Sequence, residues 1–350
     1  MTITAEGAAK GRQGTKLHPQ SVLFPAGSIG AFLGSASIPG CDHYAGTERF
    51  IRKAFALQIA SEIAFDVTCD CEDGAAVGTE AAHAAMICDL IEERSLGAAA
   101  AGRVGLRIHD LSSPFWAKDL ELILPRVSTK LAYVTVPKVR TLDEIARVSR
   151  LVSVLARKAG RTTQVPLHIL IETPQAVRNV WDIAAHSSVS VLDFGLLDFM
   201  SEHHGIIPEN CMRSPHQFEH ALLRHAKTEI CAAAAMYGKI AAHNITTDIA
   251  HPESAFADAS RAREEFGFLR MWSIHPSQIE PILRAMTPEF SLAERAGKIL
   301  LKAMESDWAP IRYENQLHDR ASYRFLWTTL LQARLYSVPV GDEVEKAFFA

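Results

Sequence analysis

Five acids and two bases recur along the chain at intervals that one reaction centre could use. Asp70, Glu72 and Asp73 close the run Phe65-Asp66-Val67-Thr68-Cys69-Asp70-Cys71-Glu72-Asp73. Arg107 follows Val104-Gly105-Leu106, Lys138 follows Pro137, Glu172 follows His168-Ile169-Leu170-Ile171, and Asp198 closes Phe194-Gly195-Leu196-Leu197-Asp198. From Asp70 to Arg107, Lys138, Glu172 and Asp198 the steps are 37, 31, 34 and 26 residues, each about one strand-and-helix unit. Carboxylates at neighbouring strand ends suit Mg2+, which takes one or two protein carboxylates and completes its octahedron with water and substrate oxygens. Glu172 and Asp198 are therefore the candidate metal ligands. The competing reading of Glu172 is an acid favoured in the first turn of the following helix. Arg107 could hold a substrate carboxylate through two parallel hydrogen bonds, or pair internally with Asp70 or Glu72. Lys138 could form a Schiff base, but acidic neighbours would keep it protonated and in a charge-balancing role. Asp70, Glu72, Arg107 and Lys138 are the candidate catalytic residues. Arg107, Glu172, Gly195 and Leu196 are the candidate substrate contacts. His243 and His275, after two later apolar runs, are further polar groups at strand ends, and His243 joins Asp70 and Glu72 as a possible acid or base.

Side chains alternate along a strand. Asp66, Thr68, Asp70 and Glu72 should thus share one face, and Cys69 and Cys71 the other. So many acids on one face need cations, water or a metal network, whereas the cysteines fit packed core thiols.

These residues need a scaffold that delivers them to one rim. Short apolar runs at Ser21–Phe24, Ile63–Thr68, Val104–Ile108, Ala132–Val136, Val165–Ile171, Val189–Phe194, Lys239–Ala242 and Met271–Ile274 read as eight strands. Helical periodicity falls between them, at Glu48–Ala60, Glu80–Glu92, Trp116–Leu124, Leu142–Ala159, Gln175–Ala185, Pro215–Tyr237 and Pro252–Glu265. The alternation predicts an α/β fold, a (β/α)8 TIM barrel whose site forms at the carboxyl ends of the strands; a doubly wound open sheet is the alternative. Pro288–Glu305, Ser322–Tyr336 and Asp342–Phe349 read as a C-terminal helical extension, packed on the barrel or on a neighbouring subunit. The domain reading is a disordered tail over 1–16, a barrel over 17–287 and the extension over 288–350. Gly34–Gly46, rich in Gly, Ser and Pro, reads as a long loop after the first strand.

Composition narrows the function. The chain has 350 residues, 48% hydrophobic and 22% charged, with net charge -4. No basic field invites nucleic acid, so a small anion must be held by local cations. Six cysteines without repeated CxxC spacing fit a reduced, cytoplasmic setting. The polar segment Met1–Gly14 lacks a signal peptide's apolar stretch, and no run is long enough to span a membrane.

Taken in order, the motifs resemble the HpcH/HpaI aldolase and citrate lyase β-subunit family, which includes malyl-CoA and citramalyl-CoA lyases. Asp70-Cys71-Glu72-Asp73 is similar to that family's Asp-Leu-Glu-Asp, Arg107-Ile108-His109 to its Arg-Ile/Val-Asn, and Pro137-Lys138-Val139 to its Pro-Lys-Val. Ile171-Glu172-Thr173, Phe194-Gly195-Leu196-Leu197-Asp198-Phe199 and Ile274-His275-Pro276-Ser277-Gln278-Ile279 resemble three further segments. The resemblance implies a TIM barrel, trimeric or hexameric, with Mg2+ on Glu172 and Asp198 and a keto-acid carboxylate on Arg107. Three positions depart from it. The Arg-Ser before the first strand, associated with CoA, stands as Gln20-Ser21; Gly-Lys before the eighth strand stands as Arg270-Met271; and Asp319–Arg324 replaces the C-terminal Met-Val-Asp segment. The expectation is a Mg2+-dependent carbon–carbon lyase of aldol or Claisen type. It would act on a small 2-oxo acid such as oxaloacetate, pyruvate or glyoxylate, or on its acyl-CoA adduct. The alternative is a barrel that binds a metabolite or partner without turnover.

Overall fold

In a computed structural model of the chain, residues 17–24, 38–75, 77–94 and 102–350 are described; the tail expected over 1–16 lies outside them. Eight parallel strands close into a barrel in chain order: β1 (Cys41–Ala45), β2 (Asp66–Asp70), β3 (Val104–Arg107), β4 (Tyr133–Val136), β5 (Leu167–Ile171), β6 (Val189–Phe194), β7 (Ile240–His243) and β8 (Arg270–Ser273). The last pairs with the first, Asp42 opposite Trp272. The fold is the expected (β/α)8 barrel with a C-terminal helical region, and no helix among the described residues is long and apolar enough to cross a membrane.

The first strand is not where hydropathy put it. Ser21–Phe24 belongs mostly to a short helix, Pro19–Leu23, with Pro19 at its first turn and the His18 ring accepting from the Gln20 N–H. Proline there is pre-organised for a helix. Leu23 and Phe24 are buried among Ala296, Leu300, Trp327 and Phe348. The true β1 lies inside the segment expected to be a loop. It reads as polar because its inward residue Asp42 meets a guanidinium rather than an apolar core: Arg270 lies 2.7 Å from Asp42 Oδ2.

The helices follow the expected pattern with local exceptions. The span expected as one helix over Gln175–Ala185 is two, Pro174–Arg178 and Val180–Ala185, divided at Asn179, whose amide donates to the Arg140 carbonyl. Pro215–Tyr237 divides into a 3-10 turn, His216–Phe218, and the helix Ala221–Met236. The helix Leu196–Ser201 falls outside the expected set, while the helix that His275-Pro276 signals after the eighth strand is present as the turn Pro276–Gln278 and the helix Ile279–Met286. The helix Leu142–Lys158 starts on a capping box in which Thr141 and Glu144 satisfy each other's N–H groups. Thr173 caps the helix after β5 by accepting from the Ala176 N–H at 3.0 Å, which leaves Glu172 free of that duty.

Contacts divide the chain into two compact units. One holds the described residues between 38 and 287, with 335–337. The other joins residues 17–24 to Pro288–Arg334 and Val338–Ala350. The second unit contains helices Phe290–Glu305 and Asp342–Phe348 and a hairpin, β9 (Ile311–Tyr313) with β10 (Gln316–His318). Its turn residues Glu314 and Asn315 both have positive φ, 46° and 63°, the twist that two-residue hairpin turns favour.

The barrel interior is charged rather than oily. Arg270 bridges Asp42 and Asp66 at 2.7 and 2.8 Å, and Arg103 adds a 2.6 Å contact to Asp66. The Tyr133 hydroxyl donates to Asp42 and meets the Thr68 hydroxyl at 2.9 Å, while its ring stacks on His168 at 3.8 Å. Gly105 makes room for that ring, because a Cβ there would lie 2.0 Å from it. The parity expected for β2 holds: Asp66, Thr68 and Asp70 each meet an interior partner, and all six cysteines are free thiols, five of them buried.

Asp193 is fully buried in this interior. Burial pushes its carboxyl up to about 8, Arg270 opposing and Asp42 reinforcing the rise. A raised folded value means that Asp193 favours the folded state fully below the unfolded carboxylate value of about 4, and that this contribution is lost as pH rises through about 8. Asp193→Asn should therefore gain on the order of a few kcal/mol relative to the parent between pH 5 and pH 8. Urea unfolding at the two pH values measures this; parallel pH dependence of the two proteins would rule it out.

Candidate active site

Arg107, at the carboxyl end of β3, is only 6% exposed, so its charge must be met inside the protein. Its Nε and one Nη donate to the two oxygens of Asp70 at 2.7 and 2.5 Å, and its other Nη lies 2.9 Å from Glu72. Asp70 is held from a second side: the Glu72 and Gly74 N–H groups donate to its oxygens at 2.9 and 2.8 Å. Burial alone would raise the Asp70 carboxyl, but Arg107 and those two N–H groups hold it below the ordinary carboxylate value. Glu72 is different. Burial raises it, and Arg107 and Lys138 only partly offset the rise.

Glu172 closes the strand end two units further on and is 2% exposed. Its Oε1 accepts from the Lys138 N–H at 2.6 Å. Burial, then the neighbouring Asp198 and Glu72 carboxylates, push it up to about 8. Gly195 packs against it so closely that a Cβ there would lie 2.2 Å from Glu172 Oε2. Lys138 joins the groups: its ammonium donates to Glu72 at 2.8 Å and lies 3.5 Å from Asp198. Burial would lower the lysine, but Glu72, Asp73 and Asp198 outweigh it and hold it above the ordinary lysine value. Asp70, Glu72, Arg107, Lys138, Glu172 and Asp198 thus form one connected set. Leu196, buried at 1%, opens the helix that carries Asp198.

A cavity of about 340 Å³ adjoins this set at Asp70, Asp73 and Arg107 and extends to Tyr44, Lys53 and His275. Tyr44 places its ring 5.3 Å from the Arg107 guanidinium and 4.9 Å from Trp272. His43, also on the cavity wall, has one ring nitrogen 2.8 Å from the Ser273 hydroxyl. His275 bonds to Ser277 and caps the turn after β8. His109 sits 2.7 Å from Asp119. His243 lies elsewhere: it is fully buried, with ring centroids 5.2 Å from Phe218 and 5.0 Å from Phe268.

The profile of the HpcH/HpaI aldolase/citrate lyase family matches residues 52–276. The chain belongs to this family. A crystal structure of a citrate lyase from Burkholderia xenovorans LB400 is similar at a TM-score of 0.80 and 42% identity, covering 95% of this chain and 100% of that one. The L-malyl-CoA/beta-methylmalyl-CoA lyase of Cereibacter sphaeroides is 27% identical over 304 residues, 82% of this chain and 92% of that protein. The protein CitE of Mycobacterium tuberculosis, solved in complex with magnesium, acetoacetate and coenzyme A, shares the fold at a TM-score of 0.63 and 21% identity, covering 85% and 99% of the two chains.

Within this family frame, two motif positions change meaning. Because β1 is Cys41–Ala45, Gln20-Ser21 stands in the helix Pro19–Leu23, some twenty residues before the first strand rather than directly before it. Tyr44 went unrecognised for the same reason: a strand placed some twenty residues early hides what stands at its end. Arg270, which departs from the family's Gly-Lys, is the countercharge of Asp42 and Asp66. Gly195→Ala tests the packing at Glu172. It should lower the free energy of unfolding by about 1–3 kcal/mol through overpacking, measured by urea titration, and an unchanged midpoint would show that Glu172 can move aside freely.

Proposed function

We propose that this chain is a Mg2+-dependent carbon–carbon lyase that cleaves or forms the bond beside the carbonyl of a small 2-oxo acid or its acyl-CoA adduct. The observation that carries this reading is the buried Glu172 carboxylate, crowded by Asp198 and Glu72 and held by the Lys138 N–H. Four acids, Asp70, Glu72, Glu172 and Asp198, meet two cations, Arg107 and Lys138, and a divalent cation fits that deficit. Glu172 and Asp198 would hold it, and when bound it would polarise the substrate's keto oxygen as a Lewis acid. Membership of a family of aldolases and lyases supports the reaction class, and the malyl-CoA lyases among the relatives support an acyl-CoA adduct as substrate.

The chain's own residues divide the remaining work. Asp70 and Glu72 engage three of the five N–H donors of Arg107, leaving two for a substrate carboxylate. Asp70 acts through Arg107, fixing its plane. Lys53 and His275, which also line the cavity, suit a second anionic group of the substrate. Glu72, raised by burial and bonded to both Arg107 and Lys138, is a candidate acid or base. Lys138, held protonated by its acids, is a poor Schiff-base nucleophile.

Calorimetric titration of oxaloacetate, pyruvate and glyoxylate, each with and without Mg2+, is expected to show one acid that binds only with the metal. Binding of none under either condition would return the chain to a barrel that binds some other metabolite or partner. Glu172→Ala should remove Mg2+-dependent turnover, by more than the roughly 10–100-fold typical of an outer-sphere change; steady-state rates equal to the parent's would exclude Glu172 as a ligand.

A further inference from the structure

Lys138 stands in a conformation that needs an explanation. It directly follows Pro137 at the end of β4, and its φ is 51°, the left-handed region that non-glycine residues adopt only when their surroundings impose it. Both halves of the residue are engaged by acids. Its N–H donates to Glu172 Oε1 at 2.6 Å. Its ammonium lies 2.8 Å from Glu72, 3.5 Å from Asp198 and 4.0 Å from Asp73. The backbone half aims one carboxylate and the side-chain half gathers three more.

We propose that the Lys138 ammonium is a tethered stand-in for the divalent cation, one that holds Glu72 and Asp198 in place and withdraws from Asp198 when the cation binds, while its N–H keeps Glu172 aimed. This rests on the reading of Glu172 and Asp198 as the metal's carboxylates. An ammonium 3.5 Å from Asp198 Oδ1 occupies ground that a cation on Asp198 would need, and like charges at that range repel even where both side chains are partly exposed. The side chain has a retreat. It is 26% exposed, and Asp73 beside it is 61% exposed, so the ammonium can swing toward Asp73 and solvent and still be paired. Lys138 is accordingly a positioning residue: the left-handed backbone lets a single side chain preset the carboxylates without blocking Glu172.

The test is calorimetric titration of Mg2+, without substrate, into the full-length protein and into Lys138→Met, which keeps the stem and removes the charge. The expected result is Mg2+ binding tighter by about tenfold or more in Lys138→Met, with Glu172→Ala abolishing binding in both backgrounds. Equal or weaker binding by Lys138→Met, where the parent binds in a Glu172-dependent way, overturns the stand-in and leaves the metal reading intact. No Mg2+ binding by either protein overturns both. Should Lys138→Met fail to fold, a crystal structure of the parent soaked in Mn2+ decides: the ammonium clear of Asp198 supports the proposal, and an ammonium still bonded to Asp198 beside the metal refutes it.

Discussion

A carboxylate taken out of water needs a cation nearby, and this barrel is organised around meeting that need at one level after another. Asp42 and Asp66 share Arg270, with Arg103 adding a second contact to Asp66. Higher up, Asp70 and Glu72 share Arg107. At the rim Glu72, Asp73 and Asp198 share Lys138. Breaking a buried pair on one side is strongly destabilising, because the remaining charge is left unpaired. The pairs therefore constrain one another, and Glu72, between Arg107 and Lys138, links the rim to the guanidinium below it. Glu172 accepts from the Lys138 N–H and, like the fully buried Asp193, keeps a raised carboxyl.

Glycines set the spacing of this arrangement. A Cβ at Gly74 would lie 2.4 Å from Asp70 Oδ2, one at Gly195 would meet Glu172, and one at Gly46 would lie 1.9 Å from the Gly74 carbonyl. In each case backbone approaches a carboxylate or another backbone more closely than any side chain permits. The acids are thus immobilised from behind by the chain itself and from the front by cations, an arrangement that fixes their positions before any ligand arrives.

Much of this was legible in the sequence. Strands ending in acids or bases at steps of one unit led to the barrel, and the alternation in β2 separated Asp66, Thr68 and Asp70 from Cys69 and Cys71. What escaped had a physical cause in each case. Hydropathy misjudged β1, since the buried Asp42 of Cys41-Asp42-His43-Tyr44-Ala45 is met by Arg270, far away in sequence, and by the Thr68 and Tyr133 hydroxyls. Ser21–Phe24 looked like a strand because its apolar residues are buried, but in a different unit. The hairpin of β9 and β10 turns on Glu314-Asn315, without the glycine that usually signals such a turn. Tyr44 became visible only once β1 was in place.

The Asp42–Arg270 contact also bears on how the chain comes to be made. It joins the first barrel strand to the last, so Asp42 has no guanidinium to pair with until nearly four-fifths of the chain has been synthesised, although Arg103 is available to Asp66 far sooner. Before that, Asp42 can meet only neutral donors of the earlier strands, the Thr68 and Tyr133 hydroxyls. Its countercharge arrives with the strand that closes the ring, so neutralising Asp42 and sealing the seam between β1 and β8 are one event.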